Sequence, residues 1–163
     1  MTNIKIQAVA VTVSDRCARG ETEDRSGAVL VKLLEEIGAV VVEKIVVADD
    51  LEPLADTLRL HAERGDINLI VTTGGTGFAR RDNTPEATRL VITREAPGLA
   101  EAMRMRTVEK TPTAILSRAV CGVRGNCLIV NLPGAPKGVE ECFDVIKSIL
   151  PHALKQLAGI KEH

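Results

Sequence analysis

The spacing of apolar positions changes regularly along this chain. Over residues 4–13 they crowd together and end in VAVTV. Such a nearly continuous, β-branched run predicts a strand covered on both faces. Over residues 26–37 they recur at Leu30, Leu33, Leu34 and Ile37, the stripe of an amphipathic helix, and Gly38 follows in the position of a left-handed cap. Residues 40–47 read as a second strand. Residues 51–64 read as a second helix, with Leu51, Leu54, Ala55, Leu58 and Ala62 on one face and Gly65 as its stop. Residues 67–72 form a third strand. Strand, helix, strand, helix, strand at this spacing implies right-handed crossovers and a parallel sheet.

The second half is less periodic. Thr84 reads as a helix cap with Pro85 in the first turn. A short helix is expected over residues 99–106, after Pro97-Gly98. Thr111-Pro112 opens another that includes Leu116 and Ser117. AVCGVRGNCLIV predicts a hairpin turning at Arg124-Gly125-Asn126. A rigid loop, NLPGAP, follows. A closing helix over residues 139–157 turns Cys142, Phe143, Ile146 and Ile149 inward, with Pro151 as a point of kinking or splitting.

Length and composition narrow the class. A chain of 163 residues is expected to form one domain, 1–163. The apolar fraction is 45% and the only aromatics are Phe78 and Phe143, so the core is aliphatic. A net charge of -1 and few stacking platforms argue against nucleic acid as a partner. Cys17, Cys121, Cys127 and Cys142 do not suggest a disulfide scaffold in a chain this long, and they lack zinc spacing. With no leader pattern and no apolar run of membrane-spanning length, a soluble cytoplasmic protein without membrane contact is expected.

The chemistry concentrates in residues 72–88, TTGGTGFARRDNTPEAT. Here a buried-looking strand runs into a turn of small residues whose N–H groups can cradle a phosphate. The spacing fits neither the P-loop nor the dinucleotide fingerprint. Thr73 and Thr76 would add hydroxyl donors. Asp82 either closes the turn or holds Mg²⁺ beside phosphate oxygens, and the second reading is favoured because Thr84 already serves as the cap. In the pair Asp49-Asp50, Asp50 suits the cap of the second helix, since Pro53 then falls where its missing N–H costs nothing. Asp49 is left facing the strand ends, and a cation between Asp49 and Asp82 would relieve their repulsion. Arg80 or Arg81 would balance anion charge. Ser117 and Arg118 are undecided from the residues alone. His61 reads as a partly buried structural histidine; His152 and His163 read as solvent-facing. Polar loops at 14–16, 48–50, 72–82 and 131–136 all fall at carboxyl ends of strands, where open α/β sheets bind ligands.

Taken together, VSDRCARGETEDRSG, VADD, TTGGTGFARRDNTPEAT, PTAILSRA and NLPGAPK resemble the MogA/MoaB family of molybdenum cofactor biosynthesis. The similarity is closest to its MogA-type molybdopterin adenylyltransferases, and it extends to the G domains of gephyrin. It covers nearly the whole chain, in order. The resemblance implies a three-layer α/β fold, a mostly parallel sheet with helices on both faces, and a homo-oligomer, commonly a trimer. It implies ATP and molybdopterin as substrates, Mg²⁺ as cofactor, release of pyrophosphate, and a molybdate-inserting protein as partner. A molybdopterin-binding carrier without catalysis is the alternative. By position, the resemblance makes Asp49 and Asp82 catalytic and metal-binding. It places Ser14, Asp15, Arg16, Thr73, Gly74, Gly75, Thr76, Gly77, Arg81, Ser117, Asn131, Pro133 and Gly134 around the nucleotide and molybdopterin.

Overall fold

A computed structural model describes residues 3–161; His163 lies outside them. The strands and crossovers of the first half run in the expected order: β1 (Gln7–Val13), α1 (Asp15–Ala18), α2 (Arg25–Glu36), β2 (Val40–Val47), α3 (Leu51–Ala62), β3 (Leu69–Thr73) and α4 (Thr84–Val91). After them come β4 (Arg94–Glu95), α5 (Pro97–Thr107), a 3-10 turn at Pro112–Leu116, β5 (Cys121–Arg124), β6 (Cys127–Leu132), α6 (Pro136–Ile146) and α7 (Leu150–Leu157).

The strands make one six-stranded sheet in the order β2-β1-β3-β6-β5-β4. β1 pairs in parallel with β2 and β3, and β3 with β6. The hairpin reverses direction, so β5 is antiparallel to β6 and β4 antiparallel to β5. The sheet is mixed, parallel in its centre.

Period-two alternation sorts the core into two layers. Ala8 and Ala10 of β1, Leu69 and Val71 of β3, and Leu128, Val130 and Leu132 of β6 share one cluster with α2, α5, α6 and α7. Val9, Val11, Val13, Ile70, Cys127 and Ile129 face the other way, onto α3 and α4. Helices therefore cover both faces, which is the three-layer α/β architecture.

Several local expectations change. The polar stretch after β1 contains the short α1, because Ser14 caps it by accepting the Cys17 N–H. Thr84 is not the cap of α4. Asn83 holds that position, Thr84 is already helical, and the Thr84 hydroxyl instead donates to the Gly74 carbonyl. Asp50 does stand at the cap of α3 but makes no side-chain cap bond. Ser117 lies just beyond the 3-10 turn. Pro151 splits the closing helix, since it begins α7 where its missing N–H is harmless. Leu99 and Met103 pack on their own sheet layer, and Met103 is only 3% exposed, whereas Met105 is 73% exposed.

Candidate functional site

The chain turns in opposite directions after β1 and β3, neighbours at the centre of the sheet. Their carboxyl ends therefore open a crevice between diverging loops. The glycine turn fills its floor. Gly74 and Gly75 adopt φ of +100° and +70°, a region that side chains rarely tolerate. A Cβ on Gly74 would stand 2.3 Å from the Val13 carbonyl oxygen, and one on Gly75 2.3 Å from the Thr84 hydroxyl.

The turn is fastened from behind. Gly74 N–H donates to Leu132 O, Thr84 N–H donates to Gly75 O, and the Thr84 hydroxyl donates to Gly74 O. The N–H groups of Gly75, Thr76 and Gly77 have no acceptor among the described residues. Three successive unbonded donors on a fixed, partly buried turn form an anion cradle.

A polar cavity of about 530 Å³ lies on the β1 side of this turn, lined by Ser14, Arg16, Asp24, Asp49, Gly75 and Asp82 among others. Asp49 is held on three sides. Its N–H donates to Asp15 Oδ1, its Oδ2 accepts the Asp15 N–H at 2.9 Å, and its carbonyl accepts the Asn83 side-chain amide. Asp49 Oδ1 receives no hydrogen bond from the described residues and lies 3.2 Å from where a Gly75 Cβ would be. Burial, reinforced by the charges of Asp15 and Asp82, raises the Asp49 pKa above the usual carboxylate range. Asp15 moves the other way, to about 2, because Arg81 grips it.

Arg81 does not face the cradle as an open cation. Its guanidinium forks onto Asp15 at 2.6 and 3.0 Å and reaches Asp50 at 2.8 Å. Arg16 lines the cavity instead and enters no ion pair among the described residues. Asp82 Oδ2 accepts the Ala79 N–H, so this carboxylate does close its turn while also lining the cavity.

Two carboxylates from different loops thus share one polar cavity with an anion cradle. No group of three or more His, Cys, Asp or Glu among the described residues forms a protein-only metal cage. The donor set fits Mg²⁺ that arrives with phosphate ligands, since such sites take one or two carboxylates and complete the shell with phosphate and water.

A second cavity of about 530 Å³ adjoins the first and shares Gly75, Asp82 and Gly134 with it. It runs between α5 and α6, and its walls are mainly apolar, with Ala100, Met103, Leu116 and Ala119 among them. Pro133 and Ser117 line this side. Ser117 Oγ accepts the Ala119 N–H.

Two predicted site residues, Thr73 in the polar cavity and Asn131 in the apolar one, line the cavities and also fasten their loops. The buried Thr73 hydroxyl donates to Pro133 O at 2.7 Å and so fixes the NLPG loop. Asn131 is fully buried; its Oδ1 accepts the Val120 N–H and its amide donates to Thr72 and Thr88.

Sequence reasoning missed other groups. Arg118 donates to the carbonyls of Gly77 and Asp82, both at 2.8 Å, and pairs with Glu86, while its own N–H donates to Thr76 O. It clamps both ends of the segment that carries Asp82. Arg104 donates to Ser117 O and Ala119 O and so holds the strand of chain from which Arg118 springs. Glu141 and Lys137 line the apolar cavity. An arginine bound to carbonyls leaves no charge pattern in sequence; only LSR, as a motif, pointed there. His61 is buried, with its ring nitrogens on Thr57 O and Glu43, as a structural histidine should be. Burial pushes the thiols of Cys121 and Cys127 up to about 12, which leaves them inert. No helix among the described residues is long and apolar enough to cross a membrane.

Comparison with known proteins agrees with this fold. A family model described as "Probable molybdopterin binding domain" matches residues 9–152. The molybdenum cofactor synthesis protein cinnamon of Drosophila melanogaster is 43% identical over 145 residues, 88% of this chain but only 24% of that protein. The chain therefore spans about a quarter of that relative. A molybdopterin adenylyltransferase of Helicobacter pylori is 38% identical over 151 residues, 91% of this chain and 86% of the relative. Among solved structures, the molybdopterin biosynthesis enzyme MoaB from Thermus thermophilus superposes with a TM-score of 0.89 at 45% identity, covering 94% of this chain and 97% of that one.

Proposed function

This chain belongs to the MogA/MoaB family of molybdopterin-binding domains, and from that premise we propose that it transfers AMP from ATP to the phosphate of molybdopterin. Its place in molybdenum cofactor biosynthesis follows from the family. The observation that carries the finer reading is the junction of the two cavities. An anion cradle with two carboxylates opens on one side into a polar cavity and on the other into an apolar one, which suits a reaction between two phosphate-bearing substrates.

In this reaction a molybdopterin phosphate oxygen attacks the α-phosphorus of ATP. The bond from that phosphorus to the bridging oxygen breaks, and pyrophosphate leaves. The attacking group is already anionic, so no strong base is required. Catalysis consists of aligning two anions and stabilising charge on the leaving group. The N–H groups of Gly75, Thr76 and Gly77 would hold phosphoryl oxygens. Asp49 and Asp82 would hold Mg²⁺, which when bound neutralises phosphate charge. Arg16, at the cavity wall, would offset the remainder. Arg81 acts at one remove: by gripping Asp15 it fixes the N–H that holds Asp49 Oδ2.

Purified protein given molybdopterin and Mg-ATP should form adenylyl-molybdopterin and pyrophosphate in equal amounts. Binding of molybdopterin with no pyrophosphate release would instead identify a carrier. The product is expected to pass to a molybdate-inserting protein. The assembly is expected to be a homotrimer in the cytoplasm, on the strength of the family resemblance. Light scattering giving about three chain masses supports that closed symmetry, and a fully active monomer refutes it.

A further inference from the structure

The apolar cavity holds an acceptor that the reaction leaves without a task. Two carboxylates line this cavity, Asp82 and Glu141. Asp82 stands where the two cavities join. Glu141 projects from α6, and its side chain is only 12% exposed. Its Oε2 accepts the Thr111 hydroxyl at 3.2 Å. Its Oε1 lies 3.8 Å from Lys137 Nζ, a long contact to a side chain that is itself 78% exposed. A carboxylate has about four lone-pair positions, so most of this anion's capacity to accept is open.

Two of the donors beside it are engaged elsewhere. Arg104 holds the carbonyls of Ser117 and Ala119, and the Thr107 hydroxyl donates to Met103 O at 2.6 Å. Away from the junction at Asp82, a ligand entering this cavity meets mainly apolar walls and the carboxylate of Glu141, and it gains most by bringing paired N–H donors to that point.

The proposed reaction, on which this rests, sets the ATP phosphates beside Asp49 and Arg16 in the polar cavity and so leaves the apolar one to the pterin. We propose that Glu141 selects it, by accepting from the ring N3–H and the 2-amino group of its 2-amino-4-oxo edge. These two donors are adjacent and parallel, and they match the two oxygens of a carboxylate as the guanidinium fork of arginine does. Adenine offers an amino donor beside a ring-nitrogen acceptor, and that acceptor would face a carboxylate oxygen. Glu141 therefore also turns the base of ATP away from the apolar cavity, so that each substrate has one compartment.

Fluorescence titration with 6-hydroxymethylpterin and 6-hydroxymethyllumazine tests the assignment. The second compound replaces the 2-amino group by oxygen and keeps the ring. The wild type should prefer the pterin by roughly tenfold or more, since a site built to accept a donor rejects an analogue that lacks it. In Glu141→Gln the carboxamide turns a donor toward a donor, and the preference should fall to within about threefold. Glu141→Asp should restore part of it. Thermal melts should coincide in all three proteins, which reports an intact fold. Undiminished discrimination in Glu141→Gln overturns the assignment. A wild type that forms adenylyl-molybdopterin yet binds both compounds equally overturns it while the proposed reaction stands. A wild type that binds neither compound nor molybdopterin removes both.

Discussion

The two cavities that meet at Gly75, Asp82 and Gly134 are held together in opposite ways. In the polar one, anions are placed by one another's backbones: Asp15 and Asp49 exchange N–H-to-carboxylate bonds, and Arg81 ties Asp15 down. Charge is concentrated there, and Asp49 registers it as a raised pKa. In the apolar one, Arg104 lines the wall and binds carbonyls, while Arg118, outside the lining, ties down the Gly77–Asp82 segment at its edge; the wall itself is mainly apolar. The first cavity stores electrostatic cost where phosphate and metal can relieve it. The second supplies shape, with Glu141 as the acid set into its wall. Substitutions of the acids in the first should therefore separate activity from stability, and those of the arginines that fasten the loops beside the second should move the two together.

The sharpest test removes charge at the junction. Asp82→Asn should lower turnover roughly 100-fold or more, with little change in melting temperature, because an amide oxygen can still accept the Ala79 N–H. Asp49→Asn should lower turnover similarly and leave the protein as stable or more so at neutral pH. The sign follows from the raised pKa of Asp49. Its folded value exceeds its unfolded one, so the stability it contributes is full below the unfolded pKa and is lost as pH rises through the folded one. Ionised Asp49 is then a net cost that the amide avoids. Thermal melts in metal-free buffer, paired with single-turnover adenylation, check both variants. A melting temperature that falls along with activity in Asp49→Asn would erase the contrast between the cavities.

Arg118 probes the other construction. Arg118→Gln removes bonds to the carbonyls of Gly77 and Asp82 and the pair with Glu86. Stability should drop by about 1–3 kcal/mol. Turnover should drop about tenfold, since a misplaced Asp82 loses only part of its alignment. Arg118→Lys should recover little, because an ammonium cannot fork between two carbonyls. Amide exchange at Ala79 and Asp82, whose N–H groups close this segment, should quicken in both. Unchanged exchange there would show that the turn holds itself and that Arg118 merely packs beside it.

The contrast also explains what the chain reveals as a string. The first half is periodic because its strands are buried on both faces and its helices show one stripe each, so β1 to β3 and α2 and α3 could be read nearly to their ends. The glycine turn, Asp49 and Asp82 were legible because carboxylates beside clustered glycines make little sense without an anion and a cation. The apolar cavity was not legible. Its wall comes from α5, the 3-10 turn, residues 117–119 and α6, segments distant in sequence whose apolar residues look like ordinary core. Thr73 and Asn131 do line the cavities, but they and Thr84 also have partners that the string does not name. Each stands in a motif that looks ligand-facing, yet each directs its polar atoms into backbone of another segment, and such partners cannot be named before the loops are placed.

The smallest expected effects lie at the rim of the polar cavity, where Arg81 touches two acids. Arg81 holds the carboxyl of Asp15 at about 2, below its ordinary value of 3.8. A lowered pKa contributes stability that is present above the unfolded value and lost as pH falls through the folded one. Urea denaturation between about pH 4 and pH 2 should therefore show a fall in wild-type stability that is shallower in Arg81→Gln. Asp50 should matter less. It occupies the cap position of α3 without a side-chain cap bond, and its link to Arg81 joins two side chains that are 57% and 51% exposed. Asp50→Ala should cost about 0.2–1 kcal/mol, the range of an exposed ion pair, and should leave the Arg81–Asp15 pair and its acid slope in place. A loss near about 2 kcal/mol would mean that Asp50 caps α3 in solution after all. The division of labour at this rim would then change: Arg81 would serve Asp15 alone, and the order that it imposes on Asp49 would rest on one contact.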